Sequence, residues 1–160
     1  MSHRRRFDRN GLEGMPLKLT IVAITLAISS PIIYIGLSTY EKSKVEAQLR
    51  GEASAIADMA KLVYTGGNGN EQQLKVKLSG GVTAHADYIL VGDSNNGNYT
   101  SCVRYKAKGL PEQVMLVSQP NVPMRSPDGM ALKLMEGKYD LMIECKSAGN
   151  GDYVEVRILG

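Results

Sequence analysis

The spacing of apolar side chains changes twice along the chain. From Leu19 to Tyr40 the sequence LTIVAITLAISSPIIYIGLSTY holds no charged residue and no His, Asn or Gln, so a helix here is apolar or hydroxylated on every face. As a helix these 22 positions extend roughly 33 Å, enough to cross a hydrocarbon core about 30 Å thick. Beyond them the pattern becomes one-sided. Val45, Leu49, Ala53, Ile56, Ala60 and Val63 follow one another at steps of three or four, which predicts a single apolar stripe on an otherwise polar helix. Lys42 with Glu46, Glu46 with Arg50, and Asp58 with Lys61 stand at ion-pair spacing on its other faces. Gly51 costs about 1 kcal/mol relative to Ala but forces no break. Gly66 and Gly67, followed by Asn68-Gly69-Asn70, end the pattern. One helix from about Leu17 to Tyr64 is predicted, bent where Pro31 removes a donor and crowds the Ala27 carbonyl.

From Leu74 onward the period falls to two or to short apolar runs. Strands are predicted at 73–78, 87–92, 99–107, 113–118, 138–146 and 152–159, separated by glycine-rich or proline-containing turns. The clearest pair is 138–146 with 152–159, where Tyr139, Leu141, Ile143 and Cys145 alternate against Val154, Val156 and Ile158 across a glycine-rich turn. QPNVPMRSPDGM, residues 119–130, is expected as a long connection crossing a sheet edge. The fold class is therefore α+β: a long N-terminal helix, transmembrane and then amphipathic, carrying a small antiparallel β-sandwich-like domain. Residues 1–16 form a basic tail, 17–65 the helix and 66–160 the β domain.

Charge gives the anchor a direction. Residues 1–18 carry Arg4, Arg5, Arg6, Arg9 and Lys18 against Asp8 and Glu13, whereas 41–160 is balanced, so the net +3 lies in the tail. A balanced body offers no basic face to a nucleic acid, and none is expected as a partner. The positive-inside rule places the tail in the cytoplasm and the β domain outside a single-pass membrane anchor. Two other outcomes fit the N-terminus. RRRF loosely matches a twin-arginine export signal, with Ala27-Ile28-Ser29 as a small-residue cleavage site and a soluble mature chain starting near Ser30. An anchor that is never cut and never polymerises is the other.

RRRFDRNGLEG followed directly by MPLKLTIVAITLAI resembles the class III signal peptide of archaeal type IV pilin-like proteins, with its short basic tail and a glycine just before the apolar helix. The resemblance covers residues 4 to 40 in detail and the remainder only in architecture. It implies cleavage by a membrane-embedded prepilin peptidase after Gly11 or Gly14, leaving the helix to pack with like or different subunits in a surface filament or secretion pseudopilus. The residue before either glycine is Asn10 or Glu13, where the family often has a basic one. Five residues into the mature chain, where bacterial-type pilins carry a glutamate, stand Pro16 or Leu19.

Candidate chemistry is sparse. Cys102 and Cys145 are the only cysteines and both fall on predicted strands. Either they bridge in an oxidising exterior, closing a loop of about 44 residues for roughly 3–4 kcal/mol, or they are two small buried hydrophobes. Asn98-Tyr99-Thr100 is an N-glycosylation sequon in a predicted turn. The only histidines are His3 and His85. His85, Asp87 and Asp93 make at most a weak metal set and are more simply a solvated strand end. The chain has no HExxH, no CxxC and no glycine-rich phosphate loop with lysine, so no enzyme, cofactor or metal is expected.

Overall fold

The computed structural model describes residues 10–94, 97–149 and 151–159. It divides into an N-terminal unit ending at Thr39 and a body that begins at Tyr40. A single helix, α1 (Asn10–Thr65), supplies all of the described part of the first and the opening of the second. It starts at Asn10 and not near Leu17, and it runs through both Pro16 and Pro31. Leu12, Glu13 and Met15 are good helix formers, and the one bond that Pro16 removes, to the Leu12 carbonyl, does not stop the helix. The far end follows the glycines. Gly67 adopts a left-handed φ of 83°, while the Gly66 N–H donates to the Leu62 carbonyl at 3.1 Å.

The body holds two four-stranded sheets. One has the order β1 (Glu71–Leu78), β7 (Gly137–Ala148), β8 (Gly151–Ile158), β5 (Met124–Arg125). The other runs β4 (Gln113–Leu116), β3 (Cys102–Ala107), β2 (Ala86–Val91), β6 (Leu132–Leu134). All six expected strands are present. The β7–β8 hairpin has the expected facing residues, with Leu141 opposite Ile158, Ile143 opposite Val156 and Cys145 opposite Val154. The expected loop 119–130 joins β4 to β6, the two edge strands of one sheet, and on the way contributes β5 to the other sheet, where it pairs with β8 in parallel. Gly92 makes this crossing close: with φ 67°, it leaves no room for a Cβ, which would stand 1.9 Å from the Met124 carbonyl oxygen.

Both sheets and the stripe of α1 share one core. Val45, Leu49, Ala53, Ile56, Ala60 and Val63 are all buried, joined by Ala57, against Val76 and Leu78 of β1, Ile89 and Val91 of β2, Val103 of β3 and Leu141 and Ile143 of β7. Each fully buried aliphatic side chain contributes about 1.5–3 kcal/mol of transfer free energy, so the stripe is a major part of what holds the body together. Three of its residues, Ala53, Ala57 and Ala60, are alanines, all buried. The ion pairs expected on the outer faces do not close among the described residues; Asp58 instead accepts from the Ser54 hydroxyl at 3.3 Å. Exposed pairs of long side chains gain too little in water to fix one geometry.

Candidate functional site

The apolar half of α1 is the largest feature that the fold leaves uncovered. Leu19, Ile24, Ile28, Ile33 and Leu37 are between 49% and 69% exposed, and with Ile21, Val22, Ile32 and Tyr34, also exposed, they go all the way round the helix. Its threonine hydroxyls are satisfied within the helix itself: Thr20 donates to the Pro16 carbonyl at 2.7 Å, Thr25 to Ile21 at 2.8 Å and Thr39 to Ile35 at 2.9 Å. A helical segment with no charged side chain, whose threonine hydroxyls bond back to its own carbonyls and whose surface is mostly hydrocarbon, suits an environment without water. By length and composition it can cross a membrane.

Where the exposed half ends, the body takes hold of the helix. Glu41 lies four residues before Val45, in line with the buried stripe. Its Oε2 accepts from the Thr83 N–H at 2.6 Å and the Thr83 hydroxyl at 2.7 Å. The backbone N–H and then the hydroxyl of Thr83 hold the carboxyl below the usual carboxylate range, helped by the N–H groups of Ala84 and Val82. Thr83 belongs to the β1–β2 loop, which is tied down elsewhere too. Gln48 donates to the Ser79 hydroxyl at 2.8 Å and to the Lys77 carbonyl at 2.9 Å, and the Gly80 N–H donates to Glu136 at 3.1 Å. Both glycines of the loop are tight fits: a Cβ on Gly81 would meet Glu41 Oε2 at 2.9 Å, and one on Gly80 would meet His85 Nδ1 at 2.7 Å. Sequence reasoning passed over this junction, although the step of four from Glu41 to Val45 was there to be read.

The remaining candidates are scattered. Gly11 and Gly14 both lie within α1. The arginines of the tail and His3 lie outside the described residues. Cys102 and Cys145 are not bridged; both are free and buried. Strand parity explains it. Cys145 alternates with Leu141 and Ile143 and belongs to the core, while Cys102 is out of step with Val103 and Tyr105 and sits on the opposite face of its own sheet. Burial pushes both thiols up, so neither is poised as a thiolate. Asn98 is exposed in a turn.

His85, Asp87 and Asp93 do not converge. His85 pairs with Glu136 at 3.4 Å and Asp87 with Lys106 at 3.8 Å, and Asp93 accepts from the Ser94 N–H at 2.8 Å. No group of three metal-ligating side chains forms among the described residues. An open groove of about 600 Å³ between Ser43–Arg50 of α1 and β4 is lined by Glu46, Arg50, Tyr105 and Gln113, and brings together no nucleophile and base. No protein family model, no curated protein and no solved structure matches the chain.

Proposed function

We propose that the chain is a pilin-like or minor-pilin structural subunit of an archaeal cell-surface filament or secretion pseudopilus, and not an enzyme. One observation carries this: a helix that is apolar or hydroxylated on all faces continues, through Pro16 and Pro31, as the same helix into the stripe that builds the core of a β body. Such a helix has two uses. Its first half sits in lipid before assembly and packs against the same half of other subunits afterwards, while its second half carries the body outward. The tail is cytoplasmic, the body extracellular, and a prepilin peptidase removes the leader after Gly11 or Gly14.

The mass of the native N-terminus tests the proposal. Loss of 11 or 14 residues, abolished in a Gly11→Ala, Gly14→Ala double variant, is the expected result. An intact tail sinks it and favours a single-pass membrane protein whose β domain binds a partner without polymerising. A specific observation supports that second reading: the segment from Leu19 to Tyr40 has no charged group, so lipid alone meets all its needs.

A further inference from the structure

The β1–β2 loop spends many polar contacts to hold one apolar side chain in the open. Residues 79–85 are fixed on one side by Ser79 to Gln48, at Gly80 by Glu136, at Thr83 by Glu41, and internally by the Gly81 N–H donating to the Ala84 carbonyl at 2.5 Å. Ala84 itself is buried in the core. Between these anchors Val82 is 87% exposed, the most exposed of the large hydrophobic side chains in the described residues. A flexible loop would fold such a residue away. This one is held so that it cannot.

What lies next to Val82 follows from its neighbour. Glu41, whose carboxylate the loop grips, is the first charged residue after the uncharged segment that ends at Tyr40. Tyr40, the first residue of the body, is 66% exposed, and tyrosine favours the boundary between headgroups and acyl chains. Lys44, one turn further along α1, is exposed. So is Lys108, whose N–H donates to the His85 carbonyl at 3.0 Å and so brings the β3–β4 turn beside the loop. Of the acidic groups here, Glu41 is occupied by Thr83, and Glu136 by Gly80 and His85. An exposed aromatic, an exposed aliphatic and two exposed lysines at the exit of a membrane-length segment fit a lipid surface, whose headgroup boundary takes up single apolar and aromatic side chains beside cations.

We infer that the 79–85 loop rests on the outer surface of the bilayer, with Val82 inserted at the headgroup boundary, so that the body is seated on the membrane and not merely tethered to it. This rests on the reading of residues 19–40 as a membrane span. The chain has no tryptophan, so a single introduced one reports its own surroundings. The full chain is reconstituted in vesicles of mixed phosphatidylcholine and phosphatidylglycerol carrying brominated acyl chains, with Val82→Trp, Ile28→Trp and, as an exposed body control, Lys133→Trp.

The expected result is a blue-shifted Val82→Trp emission, lost to bromines near the carbonyls and protected from iodide. Ile28→Trp is then lost to deep bromines, and Lys133→Trp only to iodide. If Val82→Trp behaves like Lys133→Trp while Ile28→Trp is deep, the seating is wrong and the span stands. If Ile28→Trp is also untouched by bromine, the span itself is wrong. Protection of Val82→Trp from iodide without bromine quenching assigns the loop to a contact between copies, and likewise overturns the inference.

Discussion

Residues 17–37 and 45–63 belong to one helix, yet Ile28 is 61% exposed and Ile56 is fully buried. The two halves do not differ because one is more apolar in kind; both are built from Ile, Leu, Val and Ala. They differ in how wide the apolar surface is. A surface that goes all the way round is more than two small sheets can bury, and Leu17, Leu26 and Ile33 stay exposed. A narrow stripe, Val45 to Val63 with Ala53, Ala57 and Ala60 in it, can be covered by a small β body alone. The change falls at Tyr40 and Glu41, where the fold also changes unit. Width of the pattern therefore separates the half that the body buries from the half that stays exposed.

The same substitution in both halves gives the sharpest test. Ile56→Ala leaves a cavity in the core and is expected to destabilise the body by about 2–5 kcal/mol, read as a lower urea midpoint for the full chain in detergent micelles. Ile28→Ala has no core to damage and is expected to leave that midpoint within about 0.5 kcal/mol. Equal losses at both positions would show that the exposed half is part of the body's cooperative unit, and the comparison would collapse.

Much of this was legible before any coordinates. All six stripe positions are buried, and the β7–β8 hairpin has the predicted facing residues, because alternation fixes which face is buried and the short turn after Ala148 fixes the register. What escaped has physical reasons. Met124–Arg125 and Leu132–Leu134 are too short to show a period, and the first pairs in parallel with a strand distant in sequence. The start of α1 at Asn10 was hidden by two glycines and a proline, residues that weaken a helix without ending it. The failure of Cys102 to meet Cys145 could have been found: one is in phase with its apolar neighbours and the other is not. The grip of Thr83 on Glu41 is different in kind, since it joins residues 42 apart through a loop whose sequence says only that it turns.

A gentler comparison uses the two glycines inside the halves. Gly36 and Gly51 are both helical, and a Cβ on either meets nothing within 4 Å. Gly51→Ala removes the entropy that glycine loses in a helix at a point where α1 is part of the body. It is expected to raise the urea midpoint by about 0.5–1 kcal/mol. Gly36→Ala makes the same local change ahead of Tyr40 and is expected to leave the midpoint where it was. A gain from Gly36→Ala as large as that from Gly51→Ala would mean that the boundary at Tyr40 is not energetic.

The smallest effect lies at that boundary. Because Thr83 holds the Glu41 carboxyl below its ordinary value of 4.5, the bond contributes stability that is fully present above that pH and is lost as the pH falls through the lower folded value. Acidification from about pH 4.5 downward should therefore release the 79–85 loop before the core opens. Amide exchange at Thr83, corrected for the intrinsic pH dependence, should accelerate there while that of Ile143 does not. Glu136, on Gly80 and His85, is the other carboxylate facing the loop, so the assignment needs both variants. Glu41→Gln keeps an acceptor but cannot titrate; it should give weaker protection of Thr83 at neutral pH and flatten its pH dependence, whereas Glu136→Gln should leave that dependence intact. If Glu136→Gln flattens it and Glu41→Gln does not, the loop is held by Glu136 at Gly80, and the helix is not gripped where its two halves meet.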